Sequence, residues 1–134
     1  MKVKRVNQYQ CEFCGKKGYS AHHMRKHEKH CTMNPDRICQ ICELFDEVQP
    51  EMSLMLTILP DPEAFKKVEA MDDFESVSYV GLDKAVEEAI SDLRKLTNNC
   101  HACILAAFRQ KGIFLSIVRD SFDYKKEHDE FWEK

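Results

Sequence analysis

The spacing of apolar residues changes along the chain, and each change marks an element. Residues 3–10 alternate enough to predict a short strand running into Cys11. Ser20 is an N-cap for a helix to about His30, and Asn34-Pro35 stops that helix and turns the chain. Residues 51–59 form an apolar run that fits strand or helix. Asp61-Pro62-Glu63 reads as a helix start, with a capping acid, Pro at the first position and an acid at the positive dipole end. Ser76–Val80 suits a short strand. Leu82–Leu96 is the clearest helix, because Leu82, Val86, Ala89, Ile90, Leu93 and Leu96 recur at helical spacing among charged residues. A further helix is expected from about Cys100 to Gln110, with Gly112 just past its end. It is apolar almost all round at Ile104–Phe108, which makes it the expected buried centre. Ile113–Val118 suits a short strand, and Ser121–Glu133 an amphipathic helix with Tyr124, His128, Phe131 and Trp132 on one face. The expected fold is mainly α, a small α+β protein, and no internal repeat has a clear period.

Cysteine changes this picture. Six of the seven cysteines form three C-x-x-C pairs, Cys11/Cys14, Cys39/Cys42 and Cys100/Cys103, and Cys31 is the seventh. An odd number suits a closed disulfide framework poorly. The start, Met1-Lys2-Val3-Lys4-Arg5-Val6, has no apolar run behind it, and no stretch approaches the roughly 18 apolar residues of a membrane span. The expectation is an intracellular protein in a reducing compartment, cytoplasm or nucleus, whose cysteines hold metal. With 43% apolar and 32% charged residues the composition is globular, but 134 residues is small enough for metal staples to matter.

The first ligand set follows C-x2-C-x12-H-x3-C, with Cys11, Cys14, His27 and Cys31. Two cysteines on a tight turn offer two thiolates, and a His and Cys four apart on a helix offer the other pair. Four such ligands close a zinc tetrahedron and leave no place for a substrate water. His30 competes with Cys31 for the fourth place, and the thiolate of Cys31 favours it. This stretch, from Tyr9-Gln10-Cys11-Glu12-Phe13-Cys14-Gly15-Lys16 to Met24 and His27, resembles the two-cysteine, two-histidine zinc fingers in the variant ending in cysteine. The resemblance covers about residues 7–31 and implies a ββα unit with Tyr9 and Met24 in its core. The family's core aromatic falls on Gly18, so Tyr19 is expected to swing in. The family's docking mode implies base-facing Ser20, His23 and Lys26, with Lys16, Lys17, Arg25 and Lys29 near phosphates.

Four cysteines remain, Cys39, Cys42, Cys100 and Cys103, two pairs that are the usual halves of a four-cysteine zinc site. Cys100 and Cys103 begin a helix, where the dipole and free amides stabilise thiolate. A turn and a later helix N-terminus joined this way resemble the treble-clef arrangement. A redox C-x-x-C at Cys100 would leave Cys39 and Cys42 without a role, and an iron–sulfur cluster could use the same four ligands. Two zinc ions are therefore expected, and chelation should abolish the helical circular dichroism.

Charge divides the chain. Residues 1–42 hold nine Lys/Arg against three Asp/Glu, +6, and residues 43–134 hold eleven against twenty, −9. The expected organisation is a zinc-finger module at 1–36 packed beside a helical domain at 37–134 that carries the second zinc site. A basic module on an acidic body points to an anionic partner. The expected function is non-enzymatic: the finger contacts DNA, RNA or a nucleic-acid-bound assembly, and the body contacts protein. A purely protein-binding adaptor or inhibitor is the alternative. A His-Asn-His-like nuclease is the lesser one, since His22-His23 lacks the acidic and Asn/His companions of that motif. His101 is expected in the zinc surroundings or at the surface. The C-terminal aromatic stripe either packs on the core or docks a partner, with Glu127, Asp129, Glu130 and Glu133 as its rim.

Overall fold

The computed structural model describes residues 1–133. The chain opens with an exposed segment, then pairs β1 (Tyr9–Gln10) with β2 (Lys17–Gly18) in an antiparallel hairpin. Only these two residues of the expected strand at 3–10 are paired, because β2 offers a partner of the same length. The helix α1 (Ala21–His30) follows, and Ser20 caps it by accepting the His23 N–H at 3.3 Å. Its one fully buried apolar side chain is Met24, which packs with Cys11, Cys31, Tyr9 and Met33. Tyr19 does not swing in; it is 68% exposed. Met24 takes that space instead, its methyl lying 3.5 Å from where a Cβ on Gly18 would stand.

The larger part of the chain builds α2 (Gln40–Leu44), α3 (Met52–Ile58), α4 (Leu82–Thr97), α5 (His101–Lys111) and α6 (Tyr124–Trp132). The ambiguous run at 51–59 resolves as helix, since Met52, Met55 and Leu59 are the residues it buries, one helical turn apart. The apolar stripe of α4 buries Leu82, Val86 and Leu93. Two consecutive left-handed residues, Asn98 and Asn99, then turn the chain directly into α5. Helix α5 is the expected centre: Cys103 to Phe108 are all buried, and α3, α4 and α6 pack around it. Gly112 closes it in the left-handed conformation at φ +82°.

Two further expectations fail. The helix start at Asp61-Pro62-Glu63 yields a single 3-10 turn, Pro62–Phe65, and the chain then enters a hairpin of β3 (Lys66–Met71) and β4 (Phe74–Tyr79). The capping bond is real, with Asp61 accepting the Glu63 N–H at 3.0 Å, but strand pairing wins the following residues. The expected strand at Ser76–Val80 is the second arm of this hairpin, and its first arm was not foreseen. Residues 113–118 form successive turns rather than a strand, with Ile117 N–H bonded to Phe114 and Val118 N–H to Leu115. No β-edge meets this run among the described residues. Its β-branched residues serve the core instead, through buried Ile113 and Val118.

Candidate metal centres

Two groups of four ligands converge, Cys11, Cys14, His27 and Cys31 in one, and Cys39, Cys42, Cys100 and Cys103 in the other. Within each group the ligand atoms all lie within 4.8 Å of one another.

In the first group the turn between β1 and β2 presents Cys11 and Cys14, while α1 and its C-terminal cap present His27 and Cys31. Cys14 Sγ lies 3.3 Å from His27 Nε2. A tetrahedral zinc with Zn–S of about 2.3 Å and Zn–N of about 2.05 Å sets such an edge at about 3.5 Å. His30 is turned to other work, donating Nδ1–H to the Ile38 carbonyl at 2.8 Å. Burial pushes the Cys31 thiol up to about 11, so a cation is needed to hold its thiolate at neutral pH. Cys11 and Cys31 are buried and Cys14 is exposed, so one side of the site meets solvent.

The second group is buried throughout. Cys39 is the N-cap of α2, Cys42 lies within that helix, Cys100 is the N-cap of α5 and Cys103 lies in its first turn. Cys39 and Cys100 sulfurs are 3.6 Å apart, and Cys42 lies 3.7 Å from both Cys100 and Cys103. One zinc with four thiolates sets its edges at about 3.75 Å. A disulfide would need about 2.05 Å. A multi-iron cluster attaches its cysteines to different irons and so spreads the sulfurs wider than one ion does. The site therefore fits a single tetrahedral ion, and the structure is compatible with two zinc ions per chain.

The donors need a cation. Cys39 is the most acidic, held far below the usual thiol range by hydrogen bonds from the Cys100 and Cys103 thiols, with Arg37 adding to the effect. Burial and the charge on Cys100 and Cys39 push Cys42 up to about 12. Cys103 is driven up by the same neighbours. Four crowded sulfurs can thus carry about one charge by themselves, whereas a dication would stabilise all four as thiolates.

Sequence reasoning missed Arg37. It is 5% exposed, and its Nη1 donates to Cys103 Sγ at 3.8 Å. Burial alone would lower its pKa, but the Cys103 and Cys39 sulfurs overcome that and raise it, so the guanidinium stays charged. A zinc with four thiolates carries −2, and Arg37 reduces the local charge to −1. Gln49 completes the frame by accepting the Cys39 N–H and donating to the Arg37 carbonyl at 2.7 Å. The available signal was a basic residue two positions before the metal-binding turn, which is weak.

His101 is not at the surface. It is 1% exposed, covered by Tyr124, His128 and Phe131, and its Nε2 lies 3.1 Å from His128 Nδ1. The C-terminal stripe divides: Tyr124, His128 and Phe131 pack inward, whereas Trp132 is 51% exposed and lines a cleft of about 440 Å³ with Phe45, Phe131 and Glu47. His22 and His23 are both exposed on α1.

Lys16 and Lys17 stand on the hairpin, and His23, Arg25, Lys26 and Lys29 stand exposed on α1. Ser20 is half-buried and its hydroxyl is engaged as the cap. Among the described residues none of these cations forms an ion pair. No helix among the described residues is long and apolar enough to cross a membrane. No protein-family description, curated protein or solved structure matches this chain.

Proposed function

We propose that this is a non-enzymatic zinc protein of a reducing compartment. Its N-terminal module acts as a two-cysteine, two-histidine type finger ending in cysteine, and touches DNA or RNA. Its acidic body contacts protein. The observation that carries this reading is the set of cations Lys16, Lys17, Arg25, Lys26 and Lys29, exposed on one small module and unpaired among the described residues. Exposed Lys2, Lys4 and Arg5 precede them on a segment without regular secondary structure. Unpaired cations cost self-repulsion that a polyanion relieves. Both ligand sets use all four tetrahedral positions, which supports a structural role for zinc.

Fluorescence anisotropy with short duplex DNA, single-stranded DNA and RNA tests it. Neutralising about five phosphates should give a log–log salt slope of about −4.5 on duplex DNA. No binding to any of the three at about 50 mM salt would remove the reading. A purely protein-binding adaptor would then stand, supported by the cleft that exposed Phe45 and Trp132 line.

A further inference from the structure

At the seam between α1 and the body, Arg109 of the body joins the cations of α1. A shallow depression of about 390 Å³ lies against the first ligand set, lined by its His27 and Cys31, by His23, Lys26 and His30 of α1, by Thr32 after it, and by Gln40 and Arg109 of the body. No Asp or Glu lines it among the described residues. Arg109 lies 77 positions from Thr32 in sequence, yet its Nη1 donates to Thr32 Oγ1 at 3.1 Å. That bond uses one of five N–H donors on the guanidinium. The next residue fixes the geometry: Gln110 Nε2 donates to the Thr32 carbonyl at 2.8 Å and the Asn34 carbonyl at 3.0 Å. The end of α1 is also tied down by the Ile38 N–H, which bonds to the Lys29 carbonyl at 3.0 Å. Arg109, anchored by Thr32, and the exposed Lys26 are thus cations from two parts of the chain that line one concave surface, with no ion pair among the described residues.

We infer that Arg109 and Lys26 form a clamp for one backbone phosphate of a nucleic acid, so that the helical body takes part in the contact. The inference rests on the nucleic-acid reading above and extends it to a residue outside the N-terminal module. An anchored guanidinium offers a phosphate paired N–H donors with little further ordering, and the ammonium of Lys26 adds a point charge beside it. A zinc with three thiolates and one imidazole carries −1, so a nearby phosphate needs both cations. The exposed imidazole of His23 and the amide of Gln40 stand at the edge as further polar groups.

The test is a salt titration of duplex-DNA anisotropy with the two-zinc protein and four variants, R109Q, R109K, T32V and K84Q. Lys84 is an exposed lysine of α4 that does not line the depression. R109Q should weaken binding several-fold at about 50 mM salt and make the slope shallower by about 0.9. R109K should keep the wild-type slope, because the charge remains. T32V should also keep it, which separates loss of the phosphate contact from loosening of the seam. K84Q should match wild type. A wild-type slope in R109Q, or an equal loss in T32V, overturns the clamp while leaving the module's own binding intact. No binding by wild-type protein overturns the clamp and the nucleic-acid reading together.

Discussion

At the scale of single residues, the ligand sets and the groups around them are the parts most open to test. Cys31 and His30 are neighbours in sequence, but only Cys31 stands in the metal group, while His30 is bonded to the Ile38 carbonyl. Native mass spectrometry should therefore find two zincs in wild type and in H30A, and one in C31A. Two zincs in C31A would show that His30 can take the fourth place. Arg37 is the other residue whose role is specific. Substituting Arg37→Met keeps much of its volume but leaves the four-thiolate site without its guanidinium. Loss of a group that supports metal ligands typically costs 10–100-fold in affinity, so competition with a chromophoric chelator should show a drop of about that size at the buried site alone. An unchanged affinity would mean that Arg37 only fills space. Proton linkage belongs to this scale too. The Cys31 and Cys42 thiols lie at about 11 and about 12, above neutral pH. Zinc must displace their protons, so affinity should rise with pH across neutrality and fall as pH drops, with proton release on binding measurable in calorimetry buffers of different ionisation heat. The first four ligands were legible from their spacing, and the other four because two C-x-x-C pairs remain once the first set is taken. Arg37, Gln49 and Arg109 were not, because each reaches its partner only through tertiary packing.

At the scale of elements, the body is stabilised around α5, and its surroundings are unequal. Phe108 and Phe122 are fully buried, with ring centroids 5.4 Å apart. Replacing Phe108 by Ala should cost about 3–5 kcal/mol in urea unfolding of the zinc-loaded protein. The hairpin of β3 and β4 makes a contrast. Val68 and Val77 face each other across it and both remain half exposed. Val68→Ala should change stability by no more than about 0.5 kcal/mol. A loss comparable to that of Phe108→Ala would show that the hairpin is packed against something more than its own strands. This contrast also explains which elements could be read from sequence. Helix α4 announces itself because its buried face repeats at helical spacing and the other face is charged. The strand β3, Lys66–Met71, buries nothing, so no alternation marks it. At residues 113–118 a β-branched run implied a strand, but a strand needs a partner edge, which lies outside the information in a local window.

At the scale of the whole molecule, two metal sites in one chain stand on very different supports. The first rests on a core of Cys11, Met24 and Cys31, and its ligand Cys14 is exposed. The second lies within a cluster that runs from Cys39 to Phe122 and includes the whole buried face of α5. Access of a chelator to the first site needs only local opening of a small module. Access to the second needs α2 and α5 to separate, which means loss of the main core. The two zincs should therefore leave in order. Under a chelator such as EDTA at neutral pH, one zinc should be released first with a modest loss of helical signal, confined to the length of α1. The second should leave more slowly, together with most of the helicity, because its binding energy is coupled to folding of the body. The expectation of complete collapse on chelation then holds for the second step only. The variant C14A fixes the assignment: it should lack the fast phase and keep the slow one unchanged. Simultaneous release of both ions in wild type would mean that the bonds from Gln110 and Arg109 to the N-terminal module make the two parts a single cooperative unit.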